Sequence, residues 1–293
     1  MQMREAAIEE TVFMDHVRPE PGYGRKSGQD VTITRVASVS EPTSATLSET
    51  DRIPEDTMTL STRAITVTEI GRAIPYTSLA EDLSEFDIAR PIQREIRKQL
   101  SLVLDTKAAA AFTGAQVKYA CTGLTSNNIA TSGTFGTAST ENMNVWHCEE
   151  IRDYMFDTLF TPPAVDGDYI GIFRTLGLRG IKRDPDWAEW HKYTDPSSKF
   201  NSEVGRIENI RFVETNHNNA LGKVGTSSVL GEGVVFGDDA VVVAEALAPE
   251  LRAAMPDDFG RSKAVAWYGV LEFGEPWNTG NAGQAKIVHV GST

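Results

Sequence analysis

Few residues in this 293-residue chain have the types and spacing that chemistry needs, and those few are dispersed. The densest group is His147–Cys148–Glu149–Glu150, whose side chains are all types that bind zinc. On a helix, residues one or two positions apart point in different directions, so these four cannot converge on one metal ion. We expect one core cysteine and three surface groups here. The other histidines show neither HxxH nor HExxH spacing: His16, His191, His217 and His289.

The carboxylates do not suggest a site either. Asp166–Gly167–Asp168 begins like a calcium-binding loop but lacks the glutamate at position 12, so we interpret it as a turn. The pairs Asp238–Asp239 and Asp257–Asp258 stand at loop ends, where acidic pairs are usually solvated. Trp187 and Trp190, three residues apart, are more typical of a packed helix face than of a stacking platform. We therefore predict no catalytic, metal-binding or cofactor-binding residues, no cofactor and no enzymatic activity.

One group of charges opposes the overall sign of the protein. The chain has 28 Lys and Arg against 41 Asp and Glu, a net charge of −13, which disfavours non-specific binding to nucleic acid. Four basic residues nevertheless share one face of a predicted helix: Arg90, Arg94, Arg97 and Lys98. This basic stripe is either a solvated face with local ion pairs or a surface that meets an acidic neighbour or enclosed nucleic acid.

The composition indicates what class of protein this is and in which cellular compartment it is found. A hydrophobic content of 40% is ample for a globular core. The only cysteines, Cys121 and Cys148, have no CxxC spacing, which favours reduced thiols over a disulfide. No apolar run approaches the ~18–20 residues that span a membrane, and the first residues mix charges unlike a signal peptide. We expect a protein that is made and kept in the cytoplasm, without membrane contact.

The elements that would position these residues include two amphipathic helices. The first spans Ile88–Thr113, with Asp87 as a candidate N-cap and Gly114 as a candidate stop. The second spans about Asn142–Leu159, before a Pro162–Pro163 break. Apolar residues at helical spacing form the face of the first helix opposite the basic stripe: Ile88, Ile92, Ile96, Leu100 and Val103. The sequence shows no regular βαβ alternation, which disfavours a Rossmann or barrel fold.

A long two-stranded ribbon is the most informative predicted element. Residues 30–39 and 59–76 are rich in Val, Ile and Thr, as strands prefer, and they flank a polar stretch over 41–58. A ribbon with such a tip cannot bury a core of its own, and isolated hairpins are marginal in water. We therefore expect another molecule to hold it, which points to a protein that forms a lattice.

Three stretches carry a resemblance to a known family: Ile65–Asp87, Asp168–Arg183, and Phe200–Thr215 followed by Val235–Asp238. With the order arm, ribbon, long helix and α+β body, the chain resembles the major capsid proteins of tailed bacteriophages, most of all those of the N4-like podovirus group. The resemblance covers most of residues 30–290. It implies the α+β shell fold that is shared with encapsulins and the herpesvirus capsid floor.

The resemblance also implies an organisation and partners. Copies of the chain would form the hexamers and pentamers of an icosahedral shell around double-stranded DNA, in the virion, after assembly in the host cytoplasm. Scaffolding, portal and decoration proteins would be further partners, and packaged DNA would make only weak local contact. Neighbouring subunits would meet at ribbon and arm residues: Phe13, Leu47, Ile53 and Met58. The implied division is 1–29 N-terminal arm, 30–76 extended β-ribbon loop, 77–117 spine-helix part of the peripheral domain, 118–140 and 238–258 parts of the axial domain, 141–237 peripheral or central body, and 259–293 C-terminal strands of the body.

Two alternatives remain open at this point. An encapsulin-type nanocompartment shell would share the fold and enclose an enzyme, and a neighbouring terminase or portal gene would separate the two. An acidic β-rich hydrolase would need two carboxylates that face each other across a cleft about 5–10 Å apart. The lack of convergent ionisable residues argues against the hydrolase.

Overall fold

The computed structural model describes residues 9–291, except 21–22, 25, 27, 40, 43–44, 48, 50–51, 85–86, 186–202, 225 and 256. The tryptophan pair Trp187 and Trp190 therefore lies outside the described residues. The helices are α1 Ser78–Leu83, α2 Ala89–Thr113, α3 Val145–Asp153 and α4 Arg179–Arg183. The strands are β1 Arg18–Pro19, β2 Asp30–Val36, β3 Leu60–Thr66, β4 Thr68–Thr77, β5 Val117–Gly123, β6 Ser126–Ala130, β7 Tyr169–Arg174, β8 Glu203–Ile207, β9 Ile210–Thr215, β10 Lys223–Val224, β11 Leu230–Gly231, β12 Gly233–Phe236, β13 Val242–Ala253, β14 Ser262–Gly274 and β15 Ile287–Val290.

Two sheets form the body. The larger has seven strands in the order β6-β5-β15-β12-β7-β9-β8, and the smaller has four in the order β1-β13-β14-β4. In the larger sheet β7 is buried at every position, as expected for a central strand covered on both faces. A hydrophobic core joins the two sheets, because Ile172 and Phe236 of the larger share one cluster with Val243 and Phe273 of the smaller.

Helix α2 spans both parts of this body. The N-cap position is Ile88 rather than the predicted Asp87, although the Asp87 carboxylate, one residue earlier, accepts a hydrogen bond from Ala89 N at 3.1 Å. In the first half, Ile96 is completely buried against Val265 and Trp267 of the four-stranded sheet. In the second half, Phe112 enters the core shared by the two sheets. The predicted apolar face and helix length are confirmed.

The ribbon is shorter than predicted. Strand β2 pairs with β3 from Asp30 opposite Thr66 to Val36 opposite Leu60, but β4 leaves the ribbon and pairs with β14. The expected single strand over 59–76 is therefore wrong, and the chain divides at Val67. This side chain is buried with neighbours from β13, and its N–H donates to Gln29 O at 3.0 Å, so burial turns the chain into the body here.

The second predicted helix has an irregular end. Helix α3 is capped by Asn144, whose side chain accepts from His147 N, and a π-helical turn follows at Tyr154–Thr158. The apolar positions predicted to share one face are all buried: Val145, Cys148, Ile151, Met155 and Leu159. The wider π-turn keeps the last two of them on the core side.

Residues 118–140 and 238–258, which the resemblance assigns to one axial domain, lie in different sheets. The first segment supplies β5 and β6 to the seven-stranded sheet, whereas the second supplies β13 to the four-stranded sheet. Val242, Val243 and Ala244, at the start of β13, are buried in that smaller sheet. Among the described residues, no helix combines the length and apolar character needed to cross a membrane.

Candidate assembly surface

The ribbon tip exposes its apolar side chains. Leu47 is 52% exposed, Ile53 68% and Met58 60%, although each is large enough to stabilise a core when buried. The tip segment also carries five acidic residues and one arginine between positions 41 and 58. Solitary exposed apolar residues are ordinary, but several on one projecting arm mark an interaction surface.

The ribbon base, in contrast, is fixed to the body. Val31 and Ile65 are buried in a cluster with Val242 of β13. The Arg35 guanidinium donates to Pro276 O at 3.3 Å and lies 5.3 Å from the ring centroid of Trp277. The ribbon is therefore packed against the body at its base, whereas its apolar side chains are exposed at its tip.

Phe13 does not lie on an intersubunit surface. Its side chain is completely buried in its own chain. The ring centroid lies 5.5 Å from that of Phe112, which lies 4.6 Å from that of Phe236 in a tilted arrangement. No part of the ring remains for a neighbouring subunit, so the predicted role of Phe13 as an intersubunit contact is wrong. Residues 1–8 of the arm lie outside the described residues.

A buried carboxylate explains why the arm folds back. Asp105 of α2 is completely buried, and its Oδ1 accepts from Val12 N at 3.0 Å and from Phe13 N at 2.7 Å. Its Oδ2 lies 2.8 Å from His217 Nδ1. A buried charge needs such partners, and the arm backbone supplies two of them. No sequence pattern indicates this role for Asp105, because an aspartate within a helix usually faces solvent.

The structure brings the arginines of the basic stripe onto one exposed surface. Arg90, Arg94 and Arg97 are exposed, whereas the Lys98 side chain is 23% exposed and bonds Glu95 Oε1 at 2.9 Å. The Arg90 guanidinium lies 3.2 Å from the Asp87 carboxylate. Both of these ion pairs are local i,i+3 contacts, which are weak at a surface. The stripe is therefore solvated in the single chain.

The His147 cluster is not arranged as the sequence indicated. His147 is fully buried, with Nδ1 2.9 Å from the Tyr119 hydroxyl and Nε2 2.9 Å from Gly123 O. Burial lowers the pKa of His147, so the ring is a neutral cross-brace between α3 and β5. The expectation of a surface histidine is wrong, because helix phase alone does not reveal that β5 covers this side. Both cysteines are free and buried, and burial raises the pKa of Cys121 to about 12.

The predicted turn at Asp166–Gly167 is confirmed, since both residues have positive φ, 52° and 86°. Asp168 after it is completely buried rather than solvated. Its carboxylate lies 2.8 Å from Arg211 Nε and 2.7 Å from Arg206 Nη2. This ion cluster ties the turn to strands β8 and β9, so its role is structural.

Ionisable groups do converge where the end of α2 meets the larger sheet. Lys118 Nζ donates to Thr113 O at 2.7 Å and lies 2.9 Å from His289 Nδ1, while His289 Nε2 bonds Glu232. Burial lowers the pKa values of Lys118 and His289. Burial also raises the pKa of Glu275 to about 7, against the opposing charges of Arg63 and Lys118.

This cluster has the residue types of acid–base chemistry but not the access. Lys118 is 6% exposed and His289 4%, so a substrate could not reach their reactive atoms. Within the described part of the chain, no three His, Cys, Asp or Glu side chains are grouped so that they could hold a metal ion. The cluster therefore acts as a buried polar brace between elements.

Sequence reasoning missed a second exposed apolar group at one end of the four-stranded sheet. Four large side chains there are more than half exposed: Leu79, Leu83, Met255 and Phe259. We call them the sheet-end patch. No local pattern places them together, because Leu79 and Leu83 are far in the sequence from Met255 and Phe259.

Comparisons with known proteins agree with this geometry. No family model matches the sequence, and no curated protein matches it. Solved structures do match: the capsid of cyanophage P-SCSP1u has 12% identity and a TM-score of 0.69, covering 100% of this chain and 91% of that one. The capsid of Ralstonia phage GP4 has 13% identity and a TM-score of 0.70, with coverage of 99% and 93%. The acid-stable capsid of Helicobacter pylori bacteriophage KHP30 has 14% identity, a TM-score of 0.70 and the same coverage.

These likenesses extend over the whole chain and define the class of fold. The protein has an α+β shell fold, as the sequence resemblance implied. More particularly, it is the fold of chains in bacteriophage capsids. Identities of 12–14% show the fold alone, so the assignment to the N4-like group stays a prediction.

Proposed function

We propose that the protein is the major capsid protein of a tailed bacteriophage, and that its copies form the hexamers and pentamers of an icosahedral shell around double-stranded DNA. One observation carries the proposal. Over its full length the chain has a capsid fold, and from that fold projects a ribbon with an anchored base and a bare apolar tip. A tip of this kind is suited to a neighbouring subunit, which would cover Leu47, Ile53 and Met58.

The charge distribution is consistent with an enclosing role. A net charge of −13 keeps the shell from gripping DNA along its whole inner surface. The exposed arginines Arg90, Arg94 and Arg97 offer either a local contact to DNA or a contact to an acidic neighbour such as the ribbon tip. In this proposal the protein has no enzymatic turnover, because its most convergent ionisable groups are sealed in the body.

The two sheets support a division into domains. In our proposal the peripheral domain consists of the four-stranded sheet, α2 and the ribbon base, and the axial domain is built on the seven-stranded sheet. The virion capsid would be its location, after assembly in the host cytoplasm. Scaffolding, portal and decoration proteins would be additional partners.

The direct test is to purify the protein and examine it by sedimentation velocity and negative-stain electron microscopy. We expect closed shells or capsomer rings, which sediment far faster than a 32.0 kDa monomer. A protein that stays monomeric at high concentration, alone and with its co-expressed neighbouring gene products, would contradict the proposal. Nucleic acid inside the particles would separate a phage capsid from a nanocompartment that encloses an enzyme.

A further inference from the structure

The start of the arm contacts a histidine that lies between two carboxylates. His217 is buried, and its Nδ1 lies 2.8 Å from Oδ2 of Asp105 on α2. On the other side of the ring, Nε2 lies 3.5 Å from Oε2 of Glu9 in the arm and 3.4 Å from the hydroxyl oxygen of Thr106. The ring therefore connects a buried carboxylate of the body to a carboxylate of the arm.

The hydrogens available to these groups determine the charge of the ring. Asp105 Oδ1 accepts two backbone N–H groups of the arm, which favours the ionised carboxylate, so His217 Nδ1 donates to Oδ2. Nε2 faces only acceptors, because the Thr106 hydroxyl donates its hydrogen to Leu102 O at 2.8 Å and an ionised Glu9 has none to donate. Nε2 must then carry a hydrogen as well. A histidine with a hydrogen on both ring nitrogens is a cation.

Neighbouring polar groups hold the Glu9 carboxylate in place. Asn218 donates to it twice, from its backbone N–H at 3.2 Å and from its side-chain amide at 3.1 Å. The Arg174 guanidinium donates in turn to Asn218 Oδ1, so it lies one hydrogen bond further from the carboxylate than His217 does. These donors favour an ionised Glu9. We call Glu9, His217 and Asn218 the clasp.

The clasp depends on the proton at Nε2 of His217. Without that proton, Nε2 would direct a lone pair at the oxygens of Glu9 and Thr106, which also present lone pairs. The contact would lose both its hydrogen bond and its attraction between opposite charges. Because the protonated ring is the form that binds Glu9, the clasp is closed at a pH below the titration of His217 and opens as pH rises through it.

The next residues of the arm do not share this dependence. A neutral ring can keep its hydrogen on Nδ1, so the contact between His217 and Asp105 remains when Nε2 loses its proton. Asp105 Oδ1 still accepts from Val12 N and Phe13 N, and the Phe13 side chain stays buried. The effect of the proton is therefore confined to the residues before Val12.

We propose that His217 is a proton-dependent clasp for the start of the arm: the protonated ring holds Glu9, and the neutral ring releases residues 9–11 while Val12 and Phe13 stay docked. The arm would thus have a permanent attachment at Phe13 and a releasable end before it. This inference does not depend on the proposed shell function, because every group in the clasp belongs to one chain.

Amide hydrogen exchange in the unassembled full-length protein tests the clasp. The Asn218 N–H donates to Glu9, and its protection factor should fall at least about tenfold from about pH 6 to about pH 9, since the contact that holds its acceptor is lost. The Phe13 N–H should keep its protection factor over the same range, because its acceptor is Asp105. An equal fall at both amides, or no fall at Asn218, would contradict the proposal.

A matched pair of arm substitutions separates the clasp from other effects of pH. Glu9→Gln presents an amide that can donate to a neutral Nε2, so the protection factor of Asn218 N–H should change less than about twofold over this range. Glu10→Gln removes the neighbouring exposed carboxylate and should behave as the wild-type protein does. The same pH dependence in Glu9→Gln as in the wild type would overturn the clasp.

The protonation state of the ring gives an independent measurement. Nitrogen NMR of histidine-labelled wild-type protein should show a hydrogen on both ring nitrogens of His217 at about pH 6. A neutral ring at that pH, in a chain whose Asn218 N–H is protected, would overturn the proposal and leave the shell function untouched. Should Glu9→Gln fail to dock at any pH, these two wild-type measurements decide the question.

Discussion

The N-terminal arm and the ribbon tip were predicted to have the same role, but they differ in whether their apolar side chains are buried in their own chain. Both are extended, both carry large apolar side chains, and the sequence assigned both to neighbouring subunits. Phe13 of the arm is completely buried in its own chain, whereas Ile53 of the tip is 68% exposed. The difference comes from the partners of the backbone, since Asp105 receives the arm's N–H groups and no described residue of the body does this for the tip. A large apolar side chain in the sequence indicates that it will be buried. Whether its own chain or a neighbouring subunit buries it depends on the polar groups that can bind the adjacent backbone.

The largest effect should come from removing the tip. Deleting residues 42–55 and closing the gap with a short glycine-containing turn should abolish assembly, because every symmetry-related interface would lose the same contact. The body should keep its fold, since none of the described tip residues belongs to a buried cluster of the body. Sedimentation measures the first outcome and thermal melting with circular dichroism the second. Closed shells from the deleted protein would contradict the assembly role, and an unfolded monomer would show that the tip belongs to the core.

A pair of single substitutions compares arm and tip directly. Phe13→Ala should lower the free energy of unfolding by about 3–5 kcal/mol, because it leaves a cavity beside Phe112. Ile53→Ala should change the stability of the single chain by less than about 0.5 kcal/mol and weaken assembly instead. Denaturant unfolding of both variants in the unassembled state measures the contrast. Equal losses of stability would break the distinction between the two segments.

The junction at the ribbon base should show a pH dependence. Glu275 has a folded-state pKa of about 7 against an ordinary value of 4.5, so the unfolded chain releases this proton first and stability falls as pH rises from about 4.5 to about 7. Glu275→Gln should remove that fall and be more stabilising at pH 8 than at pH 5. The difference between pH 5 and pH 8 should stay below the roughly 3 kcal/mol that the two pKa values imply, because a carboxyl group with a pKa of 4.5 in the unfolded chain is already largely ionised at pH 5.

Unfolding in denaturant at both pH values checks this prediction. Glu69→Gln, which removes an exposed carboxylate on β4, is the matched control. A Glu275→Gln protein that gains nothing at pH 8 would show that this carboxyl group is ionised at no cost in the folded chain. The ribbon base would then be less closely coupled to the body than its burial indicates.

The smallest effect should come from the basic stripe. Arg94→Glu with Arg97→Glu should leave monomer stability within about 0.5 kcal/mol, because both side chains lie on an exposed helix face. We expect fewer particles or poorer genome retention, in proportion to how closely the stripe meets its acidic partner. Particle yield and the ratio of absorbance at 260 and 280 nm measure both. Normal, full particles would make the stripe an ordinary solvated surface.

The helices were the part of the fold that the sequence specified best. The apolar spacing around Ile96 and around Ile151 placed the buried faces of α2 and α3, because helix periodicity depends on neighbours three and four positions away. The partners of the strands were harder to predict from the sequence. Strand β4 pairs with β14, almost two hundred residues further along the chain, and the local pattern at 59–76 cannot distinguish that partner from β2.

Some residues of the candidate surfaces could be predicted from the sequence and others could not. Leu47, Ile53 and Met58 could be recognised because they interrupt a polar stretch, and the structure leaves all three exposed. Phe13 and His147 were misjudged because their burial depends on distant partners, Asp105 and β5, that no local pattern reveals. The sheet-end patch was missed for a related reason: only the pairing of β4 with β14 brings Leu79 and Leu83 to the same end of the sheet as Met255 and Phe259.

The position of β15 has a consequence for how the protein is made. Residues 287–290 lie in the middle of the seven-stranded sheet, between β5 and β12, yet they follow all of their sheet partners in the sequence. During synthesis the sheet stays in two parts until this strand emerges from the ribosome, so the slow, long-range pairings form last. A nascent chain therefore has no finished body on which a ribbon could dock. The seven-stranded sheet is therefore complete only after nearly all of the described chain has been synthesised.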